Sequence, residues 1–106
     1  MKGLKGKAAI VTGSGSGIGS AIAERLAAEG CIVGIFDMNA AGADATVGTI
    51  AAAGGKAHAH AVDITDLEAV QAAVKAFEQH AGPVEILVNN AGWDRAVPFL
   101  ASKPDL

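Results

Sequence analysis

Thr12-Gly13-Ser14-Gly15-Ser16-Gly17-Ile18-Gly19 stands between two different hydrophobic patterns. Before it, Ala8-Ala9-Ile10-Val11 is a short continuous apolar run, which reads as a buried strand. After it, Ile18, Ile22 and Leu26 recur every fourth residue, which predicts a helix with that stripe on the core. Gly30 closes the helix, where a left-handed backbone is wanted. A glycine-rich turn between strand and helix favours a phosphate site. Glycines let the backbone turn sharply and approach a ligand closely. The helix start aims unpaired N–H groups and its positive dipole end at the loop. Ser14 and Ser16 are expected to add hydroxyl donors. No Lys follows, so the Gly-x-x-x-x-Gly-Lys-Ser/Thr pattern of ATP and GTP loops is absent. The strict Gly-x-Gly-x-x-Gly pattern is absent too, because Ile18 breaks it; Gly13-x-x-x-Gly17-x-Gly19 stands in its place.

The same alternation continues along the chain. Ile32-Val33-Gly34-Ile35-Phe36 reads as a second strand ending at Asp37. Asn39 can cap a second helix with the stripe Ala43, Val47, Ile50 and Ala51, stopped by Gly54-Gly55. Ala57 to Val62 is a third strand ending at Asp63. Thr65-x-x-Glu68 fits a capping box, and Leu67, Val70, Val74, Phe77 and Ala81 form the stripe of a third helix, which Gly82-Pro83 ends. Val84 to Val88 is a fourth strand running into Asn89-Asn90-Ala91-Gly92, and the stretch from Trp93 to Leu106 is loop-like. The order βαβαβαβ predicts an α/β domain with a parallel sheet and right-handed crossovers. Nearly continuous apolar strands fit a sheet covered on both faces.

Composition bounds the rest. The 106 residues suit one domain, and Gly supplies 14 of them and Ala 24, a small-residue load suited to helices packed tightly on a sheet. With charged residues at 18%, a net charge of −3 and no basic cluster, nothing points to nucleic acid. An apolar content of 51% argues against disorder. One Cys rules out an internal disulfide and a Cys-based zinc site, and Cys31 reads as a small buried hydrophobe. The N-terminal stretch has no long apolar run, so neither a signal peptide nor a spanning helix is expected, and the cytoplasm is the default location. His58 and His60 share one face of the third strand; without a third ligand they read as partly exposed edge histidines, and no metal site is expected. His80 sits where it can serve a helix C-terminus. Trp93 either walls a ligand pocket or fills core space.

Asp37 lies 18 residues after Gly19, at the end of the second strand. A carboxylate there can accept hydrogen bonds from adenosine ribose hydroxyls and would repel a 2′-phosphate. Positions 14, 16, 20, 38 and 39 hold no Arg or Lys to receive such a phosphate, which favours NAD over NADP.

These residues resemble the short-chain dehydrogenase/reductase family. Thr12 to Gly19 matches its Thr-Gly-x-x-x-Gly-x-Gly loop, Asp37 its NAD-selecting acid, Asp63-Ile64-Thr65 its adenine-side segment, and Asn89-Asn90-Ala91-Gly92 its Asn-Asn-Ala-Gly segment. The resemblance implies a Rossmann-type fold with strand order 3-2-1-4, truncated relative to the full doubly wound sheet. It also implies that Gly13, Ser16, Gly17, Ile18 and Gly19 hold a pyrophosphate. Asp37 would bind ribose, with Met38 beside the adenine, Asp63 and Ile64 would meet the adenine, and Asn90, Ala91 and Gly92 would line the inner ribose side. Trp93-Asp94 followed by Pro98-Phe99 is similar to members acting on cyclic hydroxyacyl-CoA or related secondary alcohols.

The family's reaction uses a Tyr-x-x-x-Lys pair, a Ser and a further Asn downstream of Asn-Asn-Ala-Gly. Here 14 residues follow Gly92, none of the 106 is Tyr, and Ser102 comes too early to match. No residue matches the catalytic set, so the chain reads as the NAD(H)-binding portion of an alcohol/ketone oxidoreductase and is expected not to transfer hydride by itself. Two other functions fit the residues: a non-catalytic dinucleotide or adenine-nucleotide module, and a half-sheet that self-associates. The last follows from the fourth strand, whose Ile86, Leu87 and Val88 would lie on an open edge and favour a homo-oligomer.

Overall fold

A computed structural model describes residues 2–15 and 17–90. After a 3₁₀ turn over Lys2–Leu4, strands β1 (Ala8–Thr12), β2 (Ile32–Asp37), β3 (Lys56–Ala61) and β4 (Val84–Asn89) alternate with helices α1 (Gly17–Ala28), α2 (Ala40–Ala52) and α3 (Leu67–Ala81). The strands form one sheet in the order β3-β2-β1-β4. All pairings are parallel, with Ile10 opposite Gly34 and Leu87, and Gly34 opposite His58. The expected α/β class and strand order therefore stand. Strand β3 begins one residue earlier than its apolar pattern predicts, because Lys56 pairs with Ile32.

Alternate residues of β1 divide the core in two. Ala9 and Val11 join Val33, Ile35, Ala23, Ala27, Ala43 and Ile50 beneath α1 and α2. Ala8 and Ile10 join Phe36, Val62, Val70, Val74 and Phe77 beneath α3. Helix α1 differs from the expected stripe. Its buried residues are Gly19, Ala23 and Ala27, one position along from Ile18, Ile22 and Leu26. Ile22 and Leu26 flank the core, and Ile18 is 74% exposed. Small residues face the sheet because the helix lies too close to it for isoleucines. In α2 the buried face is Ala43, Thr46 and Ile50, with Val47 at its margin and Ala51 exposed. In α3 it is Val70, Val74 and Phe77, with Ala81 packed beside them and Leu67 at 41% exposure.

The caps are largely those the sequence predicts. Asn39 accepts from Gly42 N at 3.0 Å, and Gly30, Gly54 and Gly82 take positive φ after the three helices. The expected capping box on Thr65 does not form. Asp66 is the N-cap of α3, its carboxylate accepting from Ala69 N at 3.2 Å. Thr65 instead donates its hydroxyl and N–H to Asp63 Oδ1, at 2.6 and 2.9 Å. The Asp63 carboxylate outcompetes the cap because it is two residues away and already in the turn.

His58 and His60 sit on the α3 face at the β3 edge. The His58 ring stacks on His80 with centroids 4.8 Å apart, and His60 lies 5.1 Å from Phe36 and 6.1 Å from Phe77. His60 Nε2 is buried and has no hydrogen-bond partner among the described residues. Burial first, and then the neighbouring imidazoles, lower the pKa of His58 and His60 from the ordinary histidine value. The folded chain therefore prefers both rings neutral, and the unfolded chain takes up protons first. Stability should be fully present above about pH 6.5 and fall as the pH drops through that value toward the lowered folded values. Urea midpoints measured from about pH 7.5 to pH 5 check this, and a flat profile would contradict it. Cys31 lies just before β2, is buried, and has its thiol pKa raised chiefly by burial, as a packed hydrophobe should.

Candidate functional site

The carboxyl ends of the four strands carry the residues singled out by their sequence pattern. The strand order reverses between β1 and β4, the crevice where open α/β sheets bind ligands. Two residues straddle that point. Thr12, fully buried at the end of β1, donates its hydroxyl to Asn89 Oδ1 at 3.2 Å on β4. Asn90 Nδ2 donates to Gly13 O at 3.4 Å. Thus the Asn-Asn segment ties β4 to the glycine loop.

The loop itself turns through Gly13 at φ 67° and Gly17 at φ 63°, a conformation that disfavours residues with a side chain. Gly19 then brings α1 into backbone contact with the loop. A Cβ at this position would overlap Gly13 O and lie 2.9 Å from Asn90 Nδ2. The helix N-terminus, with its unpaired N–H groups, is thereby set close to the loop. Ser14 departs from its expected role: its hydroxyl is buried and donates to Val11 O at 2.6 Å. It braces the turn and is not presented to a ligand.

Asp37 closes the adjoining side. Its Oδ2 accepts from Gly15 N and its Oδ1 from Asn39 N, each at 2.9 Å. A carboxylate offers about four lone-pair sites, so each oxygen keeps acceptor capacity. A cleft of about 150 Å³ opens beside it, between the ends of β2 and β3. Gly13, Phe36, Asp37, Met38, Asp63 and Ile64 are among its lining residues, and among the described residues the lining includes two carboxylates and no cation. Met38 is 70% exposed at this cleft, and Ile18 is similarly bare at the start of α1. A larger depression of about 320 Å³, lined by Glu24, Ala27, Gly30, Thr49 and Gly54 among others, lies at the opposite end of the strands, away from the loop.

The structure thus gathers Gly13, Gly17, Ile18, Gly19, Asp37, Met38, Asp63, Ile64 and Asn90 along one end of the sheet. Ser16, Ala91 and Gly92 lie outside the described residues, as do Trp93, Asp94, Pro98, Phe99 and Ser102. One participant escapes the sequence pattern. Thr46 of α2 is 4% exposed and donates to Ser14 O at 2.9 Å. Its only signal is a lone hydroxyl on the apolar face of a helix. His58 and His60 are not among the cleft's lining residues, although His60 lies 5.1 Å from Phe36, which is, and no cluster of three metal-ligating side chains forms among the described residues. No described helix is long and apolar enough to cross a membrane.

Residues 7–105 match the family model described as short chain dehydrogenase. D-threitol dehydrogenase of Mycolicibacterium smegmatis is 42% identical over 95 residues, which are 90% of this chain and 36% of that enzyme. A hydroxysteroid dehydrogenase structure from Escherichia coli superposes with a TM-score of 0.81 at 44% identity, covering 84% of this chain and 38% of that one. A metagenomic short-chain oxidoreductase in complex with NADP gives a TM-score of 0.78 at 38% identity, covering 83% and 40%. The chain therefore spans well under half the length of these relatives.

Proposed function

Since the chain belongs to the short-chain dehydrogenase family as an N-terminal portion of its fold, we propose that it holds a nicotinamide dinucleotide and prefers NAD to NADP. The observation that carries this reading is Asp37 in the lining of a cleft that has two carboxylates and, among the described residues, no cation. A 2′-phosphate brought there meets repulsion that no described cation of the lining offsets, whereas ribose hydroxyls meet the acceptor capacity that Asp37 keeps. The fit extends along the site. Gly13, Gly17, Ile18 and Gly19, with Ser16, hold the pyrophosphate at the α1 N-terminus. Met38 and Ile64 offer apolar surface to the adenine beside Asp63, and Asn90, with Ala91 and Gly92, borders the inner ribose. Gly19 supports this most directly, since it keeps the helix end close against the loop.

When bound, the dinucleotide supplies a hydride acceptor or donor for interconverting a secondary alcohol and a ketone. The chain's own contribution is to bind and orient it. The family's proton-transferring Tyr is not among these 106 residues, which contain none.

Titration with NADH and NADPH, followed by nicotinamide fluorescence, tests the reading. NADH should bind more tightly, and Asp37→Ala should shrink the preference by about tenfold, the equivalent of one lost repulsion of about 1.4 kcal/mol. Absence of NADH binding at millimolar concentration by the folded chain, or an unchanged preference in Asp37→Ala, would overturn it.

A further inference from the structure

We propose that Thr46 is a positioning residue for the phosphate loop, clamping one peptide plane from the side opposite Asp37. The inference rests on the dinucleotide reading above. The Ser14 carbonyl and the Gly15 N–H are the two ends of a single planar peptide unit, pointing in opposite directions. Thr46 Oγ1 donates to the carbonyl end at 2.9 Å, and Asp37 Oδ2 receives the N–H end at 2.9 Å. Neither partner belongs to the loop: one is on α2 and the other at the end of β2.

The plane needs such a clamp because the residue after it is glycine. Gly15 has no side chain to bar rotation of the peptide. A side chain there would nonetheless crowd both partners, since a Cβ would lie 2.8 Å from Asp37 Oδ2 and 3.1 Å from Ala43 N. Gly42 is held to glycine by the same contact, its Cβ falling 2.7 Å from Gly15 O. Backbone therefore meets backbone between the first turn of α2 and the loop, and the glycine that admits this approach puts no side chain in the way of a peptide flip. Thr46 also lies 3.2 Å from Gly42 O, the carbonyl one turn back that a buried helical hydroxyl ordinarily takes. The shorter bond goes to the loop. Helix α2 thus fixes where Gly15 points its N–H, and through it which faces of the Asp37 carboxylate remain for the ribose.

Thr46→Val keeps the shape of the side chain and removes the donor; Thr46→Ser keeps the donor. In Thr46→Val the Gly15 amide should exchange with solvent about tenfold faster, and the Kd for NADH should rise about tenfold, as one lost hydrogen bond implies. In Thr46→Ser both should stay within about threefold of the parent chain. Exchange is read by NMR without cofactor, well below the unfolding temperature, so that a loss of global stability alone leaves affinity and Gly15 selectivity unchanged. Unchanged Gly15 exchange, or unchanged NADH affinity, in folded Thr46→Val overturns the proposal. Should Thr46→Val fail to fold, Thr46→Ala, which also lacks a donor, takes its place, and parent-like Gly15 exchange there overturns it equally. Failure of the parent chain to bind NADH overturns the dinucleotide reading instead, while the exchange measurement still tests the clamp.

Discussion

Gly19→Ala should lower the stability of the chain by about 2 kcal/mol and remove measurable NADH binding, although alanine is the better helix former. In an open helical site the exchange would stabilise by about 1 kcal/mol. Here the added methyl overlaps Gly13 O and lies 2.8 Å from Gly13 C and 2.9 Å from Asn90 Nδ2. Two of these three atoms are backbone, so swinging the Asn90 side chain clear does not relieve the overlap. Relief requires α1 to retreat from the loop, which draws its N-terminal N–H groups away from a bound pyrophosphate, or the loop to move, which strains the bond from Asn90 to Gly13 O. Both responses damage the site. Gly48→Ala is the matched control: it too lies within a helix, and a Cβ there meets nothing within 4 Å. It should stabilise by up to about 1 kcal/mol and leave NADH affinity unchanged. Thermal unfolding and NADH titration on the pair check the opposite signs. Equal behaviour of the two variants would mean that α1 and the loop are not in contact.

That pairing also marks what could be read from residues alone. Strand and helix order, caps at Asn39 and Gly30, and the covering of both sheet faces were legible because each rests on local pattern and glycine placement. The face of α1 was not. A stripe of isoleucines ordinarily marks the core, yet Gly19, Ala23 and Ala27 face it. Depth of packing decides that choice, and depth depends on how close the loop lets the helix come. The α3 cap failed for a related reason. Thr65 and Asp66 both have capping chemistry, and only the turn made by Asp63 settles which is engaged.

The glycines, the acid and the asparagines of the candidate site stand out in the sequence, since each answers to a chemical requirement of the proposed ligand. Thr46 does not, because its partner is a carbonyl 32 residues away on a different element. Ser14 misled for the converse reason. A hydroxyl in a phosphate loop looks like a ligand donor until its buried bond to Val11 O is seen. Ser and Thr side chains serve nearby backbone as readily as they serve ligands, and only burial separates the two uses.

Phe77→Ala should cost about 3–5 kcal/mol, which is most of what a domain of this size has to lose. Phe77 is fully buried, and its ring meets Phe36 edge-on at 6.3 Å and 85°. It also packs against Gly34 of β2, where a Cβ would come within 3.2 Å of the ring. The sheet is therefore open at Gly34 to receive an aromatic ring from α3, and alanine leaves that seat empty. Refilling is difficult because the neighbouring large residue, Phe36, is itself fully buried and held in place. Phe77→Leu fills part of the seat and should cost about 1–2 kcal/mol. The milder variant carries a second consequence. The Phe77 ring covers His58 and His60, with centroids at 6.2 and 6.1 Å, and burial is the first cause of their lowered pKa values. A smaller residue admits water to the rings, brings their folded pKa values back toward the ordinary one, and so shrinks the proton uptake on unfolding. Phe77→Leu should thus be less stable than the parent at neutral pH yet lose less on acidification. Urea midpoints at about pH 7.5 and pH 5 separate the two effects. A variant destabilised by the same amount at both values would show that Phe77 supports the core without controlling the histidines.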